Sequence, residues 1–380
     1  MMTDRESYVA LNMLPKIGPV RVRRLIESLG GPEQVLSATH SRLQVVDGIG
    51  PEIAKIIHDW ESRIDLAEEI REANQRGIEV VTLADETYPA ALRHLYDPPL
   101  VLYVWGDLQE RDRHALGIVG SRKCSHYGTQ CSRQFAFQLA ASGMTVVSGL
   151  ARGIDTHAHE GAIAAKGRTI AVIGSGLGQV YPPENMGLAE KIASGFGAVV
   201  SEFPLHTAPS KKTFPMRNRI VAGWSQAMVV VECPAWSGAL ITANLAGEMG
   251  KPVYAVPGQI DRPSSAGCNR LIRDGAILVT GGQDILDDFQ MLPVADSIQV
   301  GCGSTSEKPD RSGEATSRGA DLPMSDDEQA ILQVLDQDPM LMDQLLEETG
   351  LALPTLNATL LKLEMTGRLR QFPGGRIGRK

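Results

Sequence analysis

The chain has 380 residues, with 37 Lys and Arg against 45 Asp and Glu for a formal charge of −8. That balance excludes a uniformly basic nucleic-acid coat but leaves room for a local basic site. At roughly 100–200 residues per domain the length predicts two or three domains, and a hydrophobic content of 43% is enough to build real cores. No stretch approaches the ~18 consecutive apolar residues of a spanning helix, so no membrane association is expected. The opening residues, Met1-Met2-Thr3-Asp4-Arg5-Glu6, lack a signal-peptide apolar region, which predicts a cytoplasmic protein. Five scattered cysteines (Cys124, Cys131, Cys233, Cys268, Cys302) without a Cys-x-x-Cys pair fit reduced thiols rather than a disulfide scaffold or zinc ribbon.

In chain order, residues 1–64 predict a small helical domain. Lys16-Ile17-Gly18-Pro19 recurs in form as Gly48-Ile49-Gly50-Pro51, each copy preceded by apolar residues and followed by a helix. The pattern is similar to helix-hairpin-helix (SAM-like) modules, in which the glycine turn and the N–H groups opening the second helix hold a phosphate; a plain αα corner explains it equally well. Residues 65–110 predict a connector with strand-like runs at Ile78–Leu83 and Leu100–Val104.

From 111 to 292 short apolar runs alternate with helical patterns: Leu116–Val119, Thr145–Val147, Thr169–Ile173, Ala198–Val200, Met228–Val231, Pro252–Val256 and Ala276–Val279. Continuous rather than alternating apolar runs suit strands buried on both faces, so the expected fold class is α/β, an extended Rossmann-like parallel sheet covered by helices. Several runs end in Gly or Ser (Val119-Gly120-Ser121, Val147-Ser148-Gly149, Ile173-Gly174-Ser175), which lines up tight turns along the edge where such folds bind ligands. Residues 293–323, rich in Ser, Gly and charge, predict a flexible linker. Helical patterns at 326–336, 340–349 and 354–366, followed by Pro373-Gly374-Gly375, outline a C-terminal winged helix over 324–380.

Two stretches of the core stand out chemically. Gly120-Ser121-Arg122-Lys123 lies between a buried strand and a helix. Backbone N–H groups, a hydroxyl and the Arg122 fork suit a phosphate there, unless Arg122 merely pairs with a neighbouring helix. Lys211-Lys212-Thr213-Phe214-Pro215-Met216-Arg217-Asn218-Arg219 packs four cations and one ring into nine residues. Single-stranded nucleic acid needs that combination, since charge tracks the backbone while a ring stacks a base; the competing reading is a solvated helix face. Ser237-Gly238, opening a helix after the strand ending at Val231, is a second anion site or a plain helix start.

Other signals point away from catalysis. Gly174-Ser175-Gly176-Leu177-Gly178 is not a Gly-x-Gly-x-x-Gly fingerprint, no Gly-x-x-x-x-Gly-Lys-Ser/Thr occurs, and there is no Gly-x-Ser-x-Gly elbow. Asp155, His157, His159 and Glu160 could be drawn as a metal cluster but would run along a helix instead of converging, so no metal is expected. In the C-terminal domain Leu353–Thr366 offers only Asn357 and Lys362 for reading bases, so protein contact is as good an expectation there as DNA contact.

Taken in order, Gly120-Ser121-Arg122, Ser148 to Asp155 with Ala158-His159, Tyr181-Pro182-Pro183-Glu184-Asn185, Ser201-Glu202, Phe214 to Ile220, Ser237 to Ala243, and Val256-Pro257-Gly258 through Gly267-Cys268-Asn269 resemble the bacterial DNA-processing protein DprA (Smf) family across the whole α/β core. The resemblance implies sequence-independent binding of single-stranded DNA, protection of incoming DNA, a homodimer formed through the Rossmann-like core, and help in loading RecA recombinase during natural transformation. It also implies no enzymatic activity and no cofactor. Carried over by position, Gly120, Ser121, Arg122, Lys211, Lys212, Phe214, Arg217, Asn218, Arg219, Ser237 and Gly238 form the expected DNA site. The competing expectation is a nucleotide-binding, phosphoribohydrolase-like enzyme on a related fold, although its Gly-Gly-x-Gly-Thr-x-x-Glu signature is missing. From Ala115 to Gln290 there are 15 Lys and Arg against 12 Asp and Glu, so the acidity lies in the flanking parts and the core is mildly basic.

Overall fold

The computed structural model describes residues 2–291 and, beyond them, residues 331–335, 340–351, 356, 359–360, 363, 369–372 and 376–379. The chain divides into two compact units, Met1–Cys302 and Gly303–Lys380. The expected linker over 293–323 and the Pro373-Gly374-Gly375 turn lie outside the described residues.

The first unit opens with six helices: α1 (Asp4–Met13), α2 (Pro19–Leu29), α3 (Pro32–Leu36), α4 (His40–Gln44), α5 (Pro51–His58) and α6 (Leu66–Gln75). The repeated Gly-Pro steps are helix starts. Gly18 and Gly50 are extended N-cap residues and Pro19 and Pro51 take the first helical position, where a missing N–H costs nothing and a fixed φ helps. Val9, Leu11, Val22, Leu25, Leu43 and Ile57 share one apolar core with Ala171, Ile173 and Val199 of the sheet, so these helices pack on the α/β body.

That body is a nine-stranded sheet built from β1 (Ile78–Thr82), β2 (Val101–Gly106), β3 (Ala115–Val119), β4 (Thr145–Ser148), β5 (Thr169–Val172), β6 (Gly197–Ser201), β7 (Ala227–Val230), β8 (Val253–Ala255) and β9 (Ile277–Leu278). Its order is β1-β2-β6-β5-β4-β3-β7-β8-β9. The seven strands from β3 to β9 are parallel, as their uninterrupted apolar runs predict. The two strand-like runs of the connector do more than connect. β1 and β2 pair antiparallel, and β2 pairs antiparallel with β6, Tyr103 facing Ser201 and Gly106 facing Ala198.

The remaining helices are α7 (Ala90–Arg93), α8 (His126–Ala141), α9 (Ile154–Ala164), α10 (Met186–Lys191), α11 (Thr213–Trp224), α12 (Gly238–Glu248), α13 (Ala266–Arg273) and α14 (Gly282–Met291). Alternation along β3 sorts the two faces. Leu116 and Ile118 join a core with Phe135 and Leu139 of α8 and Ala158 and Ala162 of α9; Ala115 and Val119 join one with Ile220 of α11, Ala239 and Ala243 of α12 and Cys268 of α13. At 0% exposure for most of these side chains, burial at about 25 cal/mol per Å² holds the layers together. No helix among the described residues is long and apolar enough to cross a membrane.

The second unit has a three-stranded antiparallel sheet of β10 (Met340–Leu341), β11 (Leu369–Phe372) and β12 (Arg376–Arg379), with β12 in the middle. Ile331, Leu335, Leu345, Leu356, Leu360, Leu363, Leu369 and Ile377 form its core. The middle helical pattern starts two residues later than its apolar spacing predicts: Met340 and Leu341 pair with Ile377 and Arg376, and the helix runs over Met342–Thr349.

Candidate nucleic-acid interface

The carboxyl ends of β3, β4 and β7 and the start of α11 surround a cavity of about 450 Å³. Gly120, Ser121 and Arg122 line it from the turn after β3, and Lys211, Phe214, Arg217 and Asn218 from the start of α11. Ser237 and Gly238 line it from the start of α12. Nine of the eleven sequence-predicted residues therefore share one concave surface.

Close packing of loops shapes this surface, and glycine is required at two points. A Cβ on Gly149 would come within 1.9 Å of Arg217 Nη1, so only glycine lets the guanidinium lie across the end of β4. Gly153 has φ +76 and sits against the backbone of Ser121 and Arg122, which fixes the 149–155 loop on the 120–122 turn. That turn is less open than its sequence suggests. The Ser121 N–H donates to Glu232 O (2.7 Å) and the Ser121 hydroxyl accepts the Lys123 N–H (3.1 Å), so the seryl amide is already engaged. Glu232, itself buried, accepts from Ser125 N (2.8 Å) at the cap of α8.

Arg217 is the electrostatic centre. It is 4% exposed, its Nη1 donates to Val172 O, and its Nε has no hydrogen-bond partner. No carboxylate lies within ion-pair distance of it among the described residues. Burial, with the Arg122 charge adding to it, pushes its pKa down to about 10, so the group is still a cation at neutral pH. Asp155 is the nearest counter-charge by position; its carboxylate accepts from Gly149 N (3.1 Å) and Ala151 N (3.4 Å), and burial raises its pKa against the opposing pull of Arg217. Arg217 thus puts a buried positive charge against the cavity, while its unpartnered Nε is itself shielded from solvent. The positive end of the α12 dipole adds to this, with Ser237 Oγ accepting from Ala239 N at 3.2 Å.

The structure changes two expectations about individual residues. Arg219 does not face the cavity. It is buried on another side of α11, paired with Asp97 (3.0 Å) and with Glu202. Lys212 is exposed at the N-cap of α11 and outside the cavity lining. Phe214 lines the cavity but is half-buried. The Arg122 guanidinium carbon lies 5.0 Å over its ring centroid and the Tyr181 ring is 5.8 Å away, with Arg152 over Tyr181 at 5.8 Å. Gly174 leaves room for this ring, since a Cβ there would meet Phe214 Cδ1 at 2.8 Å. Phe214 thus holds Arg122 in place by a cation–π contact. The acidic and histidine side chains at the start of α9 also diverge: His157 bonds Glu160 (2.9 Å), while His159 is buried against Thr169 Oγ1 (2.7 Å). Sequence reasoning missed Gly149, Asp155 and Trp236 as lining residues. The first two stand in the Ser148–Asp155 stretch, where the resemblance to the family's motif was the available signal; Trp236 is a solitary aromatic beside Ser237.

The fold and this cavity define a Rossmann-like protein with a cation-lined cavity at the carboxyl edge of its sheet. A family model for DNA recombination-mediator protein A matches residues 79–290, and one for the DprA winged helix domain matches residues 313–375. Protein Smf of Synechocystis sp. is 33% identical over 100% of this chain and 99% of its own length. Among solved structures, DNA processing protein A from Streptococcus pneumoniae superposes with a TM-score of 0.66 at 34% identity, covering 76% of this chain and 98% of that one. The Helicobacter pylori protein, solved for its single-stranded DNA binding mode, gives 0.51 at 30% identity, covering 56% and 96%. The chain belongs to the DprA (Smf) family.

Proposed function

We propose that the chain binds single-stranded DNA without sequence preference, with a backbone phosphate seated on Arg217 and flanked by Arg122, Lys211 and the start of α12. The observation that carries this reading is the gathering of Arg122, Lys211 and the buried Arg217 on one open cavity, with no carboxylate within ion-pair distance of Arg217 among the described residues. Asp155 offsets only part of the cost of burying that cation, and an anion arriving in the cavity offsets more of it. DNA contact through phosphates is sequence-independent. Lys212 then serves as a peripheral cation, and Arg219 as a residue that orients α11 instead of touching DNA.

The wider role is protection of incoming DNA and delivery to RecA recombinase in natural transformation, by a cytoplasmic, non-enzymatic homodimer. A family defined by recombination mediation supports the RecA part. The dimer is supported by the open edge of the sheet, where Ile277 and Leu278 of β9 are 44% and 49% exposed and unpaired strand edges invite pairing. We assign residues 1–64 to a helix-hairpin-helix-like module, 65–110 to a connector, 111–292 to the core, 293–323 to a linker and 324–380 to the winged helix.

Gel-shift titration of oligo-dT with wild type and with the Arg122→Glu, Arg217→Met double variant tests the site. Binding by wild type should fall with salt at a log–log slope of about −0.7 per phosphate neutralised, and the double variant should show no shift. Undiminished binding by a folded double variant would remove the site assignment.

A further inference from the structure

Trp236 stands at the cavity's mouth and is 90% exposed. The chain's other tryptophans behave differently: Trp224 is 2% exposed, and Trp60 and Trp105 are partly buried. Leaving an indole in water forfeits one of the largest burial gains any side chain offers. The backbone around it is anchored on both sides. Cys233 O accepts the Gly267 N–H (2.9 Å), and Ser237 caps α12. The indole is thus held out by an ordered loop, and Ile241, one turn into α12 and 47% exposed, extends the apolar rim.

The cavity therefore has two unlike walls. One is cationic, made by Arg217, Arg122 and Lys211; the other is a flat apolar surface that is left exposed among the described residues. Phe214 does not supply that surface, because Arg122 already covers its ring. An inorganic anion, an acidic peptide or a lipid headgroup would use the first wall and leave the second in water. A nucleotide unit uses both, provided its base is free of neighbours. In a duplex both faces of each base are stacked and its edge is paired, so the indole gains nothing.

We propose that Trp236 is the base-stacking platform of this cavity and the element that makes it favour single over double strands. The inference rests on the single-stranded DNA reading above and goes further by naming the residue that sets strand preference.

The test uses full-length wild type, Trp236→Ala and Trp236→Phe with three ligands: oligo-dT, a phosphate–sugar backbone of the same length without bases, and a duplex. Base–aromatic stacking is worth enough that Trp236→Ala should lose about 5- to 150-fold in affinity for oligo-dT, with no change on the abasic backbone. The preference for single over double strands should shrink by the same factor. Trp236→Phe should retain most of the affinity while abolishing the part of the tryptophan quenching that oligo-dT causes in wild type. Equal oligo-dT affinity of wild type and Trp236→Ala would overturn the proposal, as would an equal loss on the abasic backbone, which would mark a structural role. A wild-type protein that binds no oligonucleotide would remove the parent reading as well, whereas tight wild-type binding with a silent Trp236→Ala removes the stacking platform alone.

Discussion

Two arginines two residues apart on α11 have opposite surroundings. Arg219 is buried between Asp97 and Glu202 and ties the 95–97 segment and the end of β6 to the helix. Arg217, equally buried, has one backbone carbonyl and no carboxylate at ion-pair distance among the described residues. Arg219 Nη1 also lacks a hydrogen-bond partner, but a cation that the fold pairs with carboxylates stabilises the fold. One that the fold leaves without such a pair stabilises it less and raises affinity for whatever anion completes it. The difference separates a framework residue from a binding residue where composition alone would treat them alike.

Substitutions should break this symmetry in order of size. Arg219→Met leaves Glu202 buried without its counter-ion, and removing one partner of a buried pair should destabilise by about 3–5 kcal/mol, seen in a urea melt; affinity per folded molecule should change little. Arg217→Met should do the reverse. Oligo-dT affinity should drop about 10- to 150-fold, the loss of a charge-assisted contact worth about 1.5–3 kcal/mol, while the urea midpoint falls less than in Arg219→Met, because Asp155 loses a charge that lies beyond ion-pair distance. A fall in midpoint comparable to that of Arg219→Met would erase the distinction drawn between the two.

A pH effect sharpens the comparison through His159. Burial, with the Arg217 charge adding to it, pushes the His159 pKa down to about 3, against about 6.5 in an unfolded chain. The unfolded state therefore takes up the proton first as pH falls. The stability that neutral His159 confers is complete above pH 6.5 and is lost between there and about pH 3, at about 1.4 kcal/mol per pH unit for this one group. Arg217→Met removes the repelling charge, so its acid loss should stop at a higher pH than in wild type. His159→Gln should flatten the slope in that window.

Much of the fold was legible because parallel strands buried on both faces have no polar alternation to hide behind; all seven core runs became strands. The segments that line the cavity were legible, and the residues that lie away from it do so for physical reasons. Successive residues on a helix are about 100° apart, so Phe214, Arg217, Asn218 and Val221 share the cavity face whereas Arg219 is turned about 200° from Arg217. The basic run looks continuous in sequence and is split in space. Ser121's engaged amide depends on Glu232, 111 residues away, and Phe214's cover depends on Arg122 and Tyr181; neither contact has a local trace. Trp236 gave only the signal of an aromatic between a proline-containing turn and a helix cap, which a buried indole would give equally well.

The antiparallel pairing of β2 with β6 has a practical meaning for dissecting the molecule. A fragment begun after residue 110 would keep every segment that builds the cavity, yet it would lose the strand that covers β6. The backbone groups now paired over Tyr103–Gly106 and Ala198–Ser201 would become an open hydrogen-bonding edge beside a wholly buried apolar strand, a recipe for sticking to other copies. Shortened versions of this protein should therefore keep β1 and β2 and, because α1–α5 share an apolar core with the sheet, the N-terminal helices as well.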